Sequence, residues 1–228
     1  MRNPFRLLTR FEWALWLTSM LMVTISYLVV PERDWLNLIA SLIGVTSLVF
    51  IAKGHLFGSL LSIVFSTFYA VISLRFQYYG EMITYALMVL PISVVSLVAW
   101  IKHPYKDTEE VEVGEIAKKH LVLMPVLTIL VTGGLFFVLR WLGNANLAVS
   151  TISIATSFIA SYLSILRSPY YALGYVANDL VLIVLWILAG IEEPGYTPMV
   201  LCFIAFLAND LYAFINWRRM QKHQQSAQ

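Results

Sequence analysis

The sequence predicts an all-α integral membrane protein with about eight transmembrane helices. Of its 228 residues, 60% are hydrophobic and only 12% are charged, whereas a soluble domain is about half apolar and about a quarter charged. The apolar residues form continuous runs of roughly 20, which is the length that an α-helix needs to cross the hydrocarbon core. A transmembrane β-strand needs only about ten alternating residues, so the continuous runs favour helices over a barrel.

Eight apolar segments, separated by charged or turn-forming residues, are the predicted spans. Most links between them are short, so consecutive helices must be antiparallel neighbours. The one long link, Ile101–His120, is rich in charges and is predicted to be a solvated cytoplasmic connector. The predicted spans are Phe11–Val30, Trp35–Ala52, Leu56–Leu74, Glu81–Trp100, Leu121–Leu142, Leu147–Leu166, Tyr170–Gly190 and Thr197–Trp217.

The distribution of basic residues predicts the orientation of the chain. An even number of spans places both termini on one side, and twelve of the fifteen Lys and Arg residues then fall on that side. Only Arg33, Arg75 and Arg140 fall on the other. Because cytoplasmic loops carry the excess of positive charge, both termini are predicted to lie in the cytoplasm and the protein in the inner (plasma) membrane. The first span carries Glu12 and lacks a small-residue cleavage site, which favours a retained helix over a signal peptide.

Two segments of the chain share one organisation. Each has a short helix, a turn with a basic residue (Lys53 or Arg167) and a later helix that ends at a tryptophan (Trp100 or Trp217). The basic residue and the tryptophan are 47 residues apart in the first segment and 50 in the second. Parallel repeats of this kind place a substrate site at their interface near the midplane. Both tryptophans, like others at span ends, also fit an interfacial aromatic belt.

These features predict two parallel three-helix repeats joined by a linking helix, with an extra N-terminal helix. The linking helix lies between the repeats, so both repeats begin on the same side of the membrane. The corresponding divisions are 1–34 for the N-terminal helix, 35–104 for the first repeat, 105–145 for the cytoplasmic link and linking helix, 146–220 for the second repeat and 221–228 for a cytoplasmic tail.

Two aspartates lie inside predicted spans, and each follows an asparagine: Asn178-Asp179 in the seventh span and Asn209-Asp210 in the eighth. A charged residue near the centre of a transmembrane helix costs about 2.5–3.5 kcal/mol on insertion scales, whereas each Leu, Ile or Val favours insertion by about 0.3–0.6 kcal/mol. Such residues face the bundle interior or a water-filled path. The two pairs are therefore the first candidates for a binding site.

Helical spacing adds further candidate binding residues. On the seventh span, five residues fall within about 100° of arc and share one face: Tyr171, Tyr175, Asn178, Asp179 and Trp186. The alternative interpretation is that these polar groups bond between helices and only hold the bundle together. The other candidates from spacing are Asn209, Asp210, Tyr212 and Asn216 in the eighth span and Ser66 and Tyr69 in the third.

The sequence carries no motif for metal binding, nucleotide hydrolysis or nucleophilic catalysis. Its four histidines lie in or beside predicted cytoplasmic loops and lack metal-ligand spacing. Neither a G-x-x-x-x-G-K-[ST] sequence nor a Gly-framed serine is present. The single cysteine, Cys202, lies inside a span, and a net charge of +2 is too small to indicate nucleic-acid binding. We therefore expect no cofactor, no metal and no nucleic-acid partner.

Three segments in the fourth, seventh and eighth spans carry a resemblance to a known family. They are Tyr175-Val-Ala-Asn178-Asp179 with Trp186, Asn209-Asp210-Leu-Tyr212-Ala-Phe-Ile-Asn216-Trp217-Arg-Arg-Met, and Tyr79-Gly-Glu-Met-Ile-Thr-Tyr85. These segments resemble the PnuC-type nicotinamide riboside transporters. The resemblance covers about Trp35 to Met220 and adds Tyr85 to the candidate site residues. It implies a SWEET-like fold and facilitated diffusion of nicotinamide riboside, with trapping inside the cell by a kinase.

A substrate of this family would be a small cationic vitamin precursor. Nicotinamide riboside and thiamine both hold a quaternary ring nitrogen, which a buried aspartate and aromatic faces can stabilise through charge and cation–π attraction. Asp179 is the first candidate for that contact or, alternatively, for orienting Asn178. Related members of the family carry thiamine or deoxynucleosides, which stay alternative substrates. A membrane-embedded enzyme or a ligand sensor that uses Asp179 and Asp210 is the alternative from another class, and a homo-oligomer in the bilayer is left open.

The charge distribution yields a direct test of the topology. Reporter fusions at Gln228 and within the link Ile101–His120 should both report a cytoplasmic position, and a fusion at Gly195 should report an external one. The measurement is the activity of a compartment-specific reporter in intact cells. An external position for Gln228 would contradict the eight-span topology.

Overall fold

The computed structural model describes residues 4–29, 35–75, 82–106, 108, 110–144, 146–192 and 197–226. Within these ranges the chain forms eight helices that agree with the predicted spans, all boundaries but the end of the last helix falling within three residues. Some positions used in the sequence predictions, namely Arg33, Gly195 and residues 79–81, lie outside the described residues. The helices are α1 (Arg10–Val29), α2 (Trp35–Ala52), α3 (Leu56–Arg75), α4 (Thr84–Ile101), α5 (Lys118–Trp141), α6 (Leu147–Ile165), α7 (Tyr170–Glu192) and α8 (Thr197–Ser226).

The helices confirm the predicted membrane fold. Among the described residues, six helices are long and apolar enough to cross a bilayer, and α2 and α3 contain the shorter apolar stretches Leu38–Ala52 and Leu56–Ile72. Gly54 after α2 and Gly143 after α5 have positive φ angles, the conformation that commonly ends a helix. Helix α8 continues well beyond its predicted end at Trp217, to Ser226, where its polar last turns contact the link between α4 and α5.

Six of the helices form two groups of three. Helices α2, α3 and α4 pack in sequence as the first triplet, and α6, α7 and α8 pack in the same way as the second triplet. The triplets meet through α2 against α8 and α4 against α6, so the third helix of each contacts the first helix of the other. Helix α1 packs outside, on α2 and α8, and α5 packs mainly on α6. This is the predicted arrangement of two three-helix units, a linking helix and an extra N-terminal helix.

Two buried tryptophans join the triplets at one end. The indole N–H of Trp100 in α4 donates to the carbonyl of Ser164 in α6 at 3.1 Å, and that of Trp217 in α8 donates to the carbonyl of Ile51 in α2 at 2.9 Å. The two ring systems also touch, with centroids 5.3 Å apart. The assignment of these two side chains to a lipid-facing belt is therefore wrong, since neither is more than 1% exposed. Trp141, in contrast, is 84% exposed and suits a belt.

The link between α4 and α5 is a strap that binds both triplets at this same end. The backbone N–H of Val111 donates to the carbonyl of Gly54, in the turn after α2, at 3.0 Å. The N–H of Gly114 donates to the carbonyl of Arg167, in the equivalent turn after α6, also at 3.0 Å. Both carbonyls belong to residues with positive φ. The strap therefore connects corresponding points of the two triplets.

The end of α8 holds the strap in place through one side chain. Gln224 is 4% exposed; its side-chain oxygen accepts from the N–H of Val113 at 2.8 Å, and its amide nitrogen donates to the carbonyl of Val111 at 3.2 Å. The prediction of a merely solvated connector is therefore wrong for the strap's backbone. Its charges misled that prediction, because described ionic side chains of the strap such as Lys102, Glu110 and Glu115 are exposed while the backbone bonds to both triplets.

Gly114 offers a test of the strap. A Cβ atom at this position would collide with the carbonyl oxygen of Leu166, so Gly114→Ala should lower stability by about 1–3 kcal/mol, as overpacking does. Gly133→Ala in α5 is the matched control, since no atom beyond the adjoining backbone of its own helix lies within 4 Å of its Cβ position and alanine favours a helix by about 0.8–1 kcal/mol relative to glycine. Thermal unfolding in detergent measures both, and equal melting temperatures would show that the strap is not tightly seated.

Candidate solute-binding cavity

A cavity lies between the two triplets. It contains about 960 Å³ of empty space, including the part that opens to solvent. All six helices of the triplets line it, whereas α1 and α5 contribute no lining side chain among the residues described. The cavity therefore occupies the interface at which parallel repeats place a substrate.

Six of the eleven predicted site residues lie in the wall of this cavity. They come from both triplets, so segments far apart in the chain meet around one space. The remaining five do not line it. The six lining residues are Ser66, Tyr85, Tyr175, Asn178, Asp179 and Asp210.

The two aspartates lie side by side on α7 and α8. Each is only 3% exposed, and their carboxyl groups are close enough to interact directly. Oδ2 of Asp179 has no hydrogen-bond partner among the described residues, and the same is true of Oγ of Ser66 on α3. A buried polar atom without a partner is costly, and two neighbouring carboxylates repel each other. The pair is thus suited to binding a cation or a hydrogen-bond donor.

The cavity is symmetric in position but not in charge. Asp179 on α7 and Ser66 on α3 each lie 12 residues beyond the positive-φ residue of the preceding turn. Asp210 on α8 and Ser93 on α4 each lie seven residues before the buried tryptophan of their helix. All four line the cavity. The second triplet therefore carries acidic groups at the positions where the first triplet carries hydroxyls.

Asn178 is held in one orientation by hydroxyl groups of α6. Its side-chain oxygen accepts from Ser153 at 3.1 Å, from Thr156 at 2.9 Å and from Ser157 at 3.0 Å. The residue is buried, and these three donors occupy its oxygen fully. Its amide nitrogen is consequently the group that can serve a solute in the cavity.

Tyr85 reaches the cavity from an irregular turn of α4. The segment Thr84–Val89 is π-helical, and the N–H of Leu90 bonds to the carbonyl of Tyr85, five residues earlier. Pro91 follows and has no N–H to give. The phenol ring of Tyr85 packs on that of Tyr69, with centroids 4.4 Å apart. A π-helical turn of this kind frequently marks a functional site.

The fixed charge of the cavity is acidic. No Lys, Arg or His lines it among the residues that the structure describes, and that part of the chain contains no cluster of metal-binding side chains either. Aromatic rings complete the wall, including those of Tyr175 and Tyr171 on α7, and Tyr175 exchanges a hydrogen bond with Ser161 at 3.1 Å. The cavity therefore offers carboxylates, hydroxyls, one free amide nitrogen and aromatic faces.

Two of the remaining predicted residues lie just behind the wall. Trp186 is buried in a cluster with Leu182 and Phe206, whose own side chains line the cavity. Tyr69 supports the ring of Tyr85 from the side. Both residues shape the cavity through a neighbour, and their direct contact with a solute stays a prediction.

The last three predicted residues connect α8 to other helices. All three use their side chains in hydrogen bonds outside the cavity. Helix phase alone could not separate them from Asp210, because the sequence does not show which helix faces each side of α8. Asn209, Tyr212 and Asn216 donate to Ser19 Oγ at 2.9 Å, Glu12 Oε1 at 2.7 Å and the carbonyl of Ala52 at 2.9 Å, respectively.

Serine is the lining residue that sequence reasoning largely missed. Nine serines line the cavity among the described residues, and Ser66 is the one serine among the predicted site residues. Serine in a membrane helix is more often explained by close packing, so composition alone does not reveal a lining role. Ser93 and Asp210 occupy equivalent positions in the two triplets, and this equivalence is the sequence signal that would have identified Ser93 as a lining residue.

Two triplets of membrane helices enclosing a polar cavity define the class of multi-pass membrane transport proteins. The family model described as "Nicotinamide mononucleotide transporter" matches residues 34–219. A relative from Neisseria mucosa, named nicotinamide riboside transporter PnuC, is 30% identical over 221 residues, which are 94% of this chain and 83% of the relative. A relative of the same name from Haemophilus influenzae is 25% identical over 212 residues, which are 91% of this chain and 89% of that relative.

A solved structure agrees with these matches. The crystal structure of the vitamin B3 transporter PnuC superposes with a TM-score of 0.80 and 26% sequence identity, covering 95% of this chain and 94% of the other. The chain therefore belongs to the nicotinamide mononucleotide transporter family.

Proposed function

We propose that this chain carries nicotinamide riboside across the inner (plasma) membrane by facilitated diffusion, after which an intracellular kinase traps the substrate by phosphorylation. Two relatives that match more than nine-tenths of the chain bear the name of nicotinamide riboside transporter. The observation that carries the proposal is the buried Asp179–Asp210 pair, with an unpartnered carboxylate oxygen, in the wall of the cavity.

The acidic pair suits the quaternary ring nitrogen of this substrate. A buried carboxylate and a pyridinium ring attract more strongly than they would in water, because little solvent screens the charges. The aromatic walls, with Tyr175 on α7 and Tyr85 on α4, add cation–π attraction, about 0.5–2 kcal/mol per contact. Binding the cation also relieves the repulsion between Asp179 and Asp210.

The same electrostatics favour the riboside over the mononucleotide. The mononucleotide adds a phosphate that is close to doubly charged at neutral pH, and phosphate sites in proteins supply Arg, Lys or a helix N-terminus. The lining side chains that are described include no Lys or Arg. A phosphate in this cavity would meet Asp179 and Asp210 with no compensating cation.

The remaining polar groups match the neutral parts of the riboside. The amide nitrogen of Asn178 can donate to the carboxamide oxygen, and the serines of the first triplet, such as Ser66 and Ser93, can bond to ribose hydroxyls. This arrangement sets the ring toward the second triplet and the sugar toward the first.

Orientation and assembly complete the proposal. The predicted positive-inside orientation puts the strap and both termini in the cytoplasm. The Trp100–Trp217 contact then lies at the cytoplasmic end of the bundle.

Helix α5 leaves apolar side chains such as Ile129 and Phe137 exposed, which lipid or a second copy of the chain can cover. A homo-oligomer stays a prediction that mass determination in detergent would test.

The charge of Asp179 should distinguish a cationic substrate from a neutral one of the same shape. Asp179→Asn keeps the size of the side chain but removes its charge, and a hydrogen bond to a charged group is worth about 1.5–3 kcal/mol. We expect affinity for nicotinamide riboside to fall about tenfold or more, since about 1.4 kcal/mol is tenfold. Binding of the reduced, uncharged riboside should change much less. Isothermal titration calorimetry in detergent measures both.

The matched control is Glu110→Gln, the same chemical change at an exposed position on the strap. It should leave both affinities unchanged. If Asp179→Asn weakens the cationic and the neutral riboside equally, the carboxylate has a structural role and the proposed contact is wrong.

Transport by this mechanism should run downhill and leave the substrate chemically intact. Proteoliposomes without a kinase should equilibrate labelled riboside and not exceed the outside concentration, and mass spectrometry should recover the unmodified compound. Conversion of the riboside would favour the enzyme that uses Asp179 and Asp210 as acid and base. Accumulation that depends on a proton or sodium gradient would reject facilitated diffusion.

A further inference from the structure

A second cavity lies beside the first, at the end of the bundle opposite Trp100 and Trp217. It contains about 410 Å³ of empty space, including the part that opens to solvent. Its wall comes from the start of α4, the end of α5, the start of α6 and α7. In the proposed orientation this is the external side of the membrane.

A thin partition separates the two cavities. Tyr85, Ser157 and Leu182 line both of them. Tyr85 is the largest of the three, and it stands on the π-helical turn of α4 with its ring packed on Tyr69.

The polar groups of the second cavity are uncharged. The side-chain amide of Asn144 donates to the hydroxyl of Ser150 at 2.9 Å, and Ser153 and Thr84 add further hydroxyls. No Asp, Glu, Lys or Arg is among its described lining residues. Such a surface suits a polyol and offers a cation no carboxylate among its described lining residues.

Hydroxyl groups continue from the second cavity into the first along one face of α6. Ser150 and Ser153 line the second cavity, Ser157 lines both, and Ser161 lines the first. Their spacing of three or four residues places them on one helix face. Ser153 and Ser157 both donate to the oxygen of Asn178. A solute could therefore exchange hydrogen bonds stepwise along this row.

We propose that the second cavity is an outer subsite that binds the ribose of the substrate before Tyr85 admits it to the central cavity. The inference rests on the proposed transport of a riboside and extends it to the path of access. The sugar bonds first to the neutral outer subsite, and the charged ring then passes the partition to reach Asp179 and Asp210. Tyr85 acts as the positioning residue between the two sites.

Thiol labelling from outside the cell tests this subsite. In a Cys202→Ser background, which removes the single cysteine, Ser150→Cys places a thiol in the second cavity. Ile152→Cys is the matched control, because its side chain is 53% exposed on the outside of the bundle and lines neither cavity. A membrane-impermeant methanethiosulfonate reagent is added to intact cells, and uptake of labelled nicotinamide riboside is measured.

We expect modification of Ser150→Cys to lower uptake about tenfold or more, while treated Ile152→Cys keeps the uptake of its untreated form. Nicotinamide riboside and its reduced, uncharged form should both slow the modification of Ser150→Cys. N-methylnicotinamide, which keeps the cationic ring but lacks the sugar, should not. Thr84→Cys, on the facing wall, is the second variant and replaces Ser150→Cys if that protein is poorly expressed. It should behave in the same way.

Three outcomes would overturn the outer subsite: no modification from outside, modification that leaves uptake unchanged, or equal protection by N-methylnicotinamide. Failure of the proposed function has a different signature, because the Cys202→Ser parent would then show no uptake of the riboside before any labelling.

Discussion

The exchange of indole hydrogen bonds between the two triplets fixes the geometry on which the cavity depends. In a bilayer, apolar contact alone gives little preference for one helix arrangement over another, so close packing and hydrogen bonds between helices decide it. Trp100 and Trp217 each bond to a carbonyl at the end of the other triplet's first helix. The strap adds backbone bonds to the turns directly beyond those carbonyls. Neither triplet can therefore move at this end without disturbing the other.

On this symmetric frame, function depends on a break in the symmetry. Equivalent positions hold Ser66 and Asp179 in one case and Ser93 and Asp210 in the other. Two acids in each triplet would put four like charges in one small space, at a prohibitive desolvation and repulsion cost. With both acids in one triplet, a molecule with a cationic end and a hydroxyl end has a single preferred orientation.

The sequence predicted the helices well because lipid imposes one strict demand, roughly 20 apolar residues per span. It also located Asp179, since a carboxylate in a membrane helix needs a special environment. It misjudged Trp100, because a position at a span end does not show whether the side chain faces lipid or protein. The seating of the strap was equally hidden, as its bonds use backbone atoms of Gly114 and Val111 that carry no sequence signature.

The bonds between α8 and α1 explain how Asp210 comes to face the cavity. Successive residues on a helix are about 100° apart, so the direction of Asn209 determines that of Asp210. Asn209 is anchored to Ser19 of α1, and Tyr212, one turn further on, is anchored to Glu12 of the same helix. These contacts fix the rotation of α8, and Asp210 then points to Asp179. The extra N-terminal helix, which lies outside the residues matched by the family model, thus helps to hold the acidic pair together.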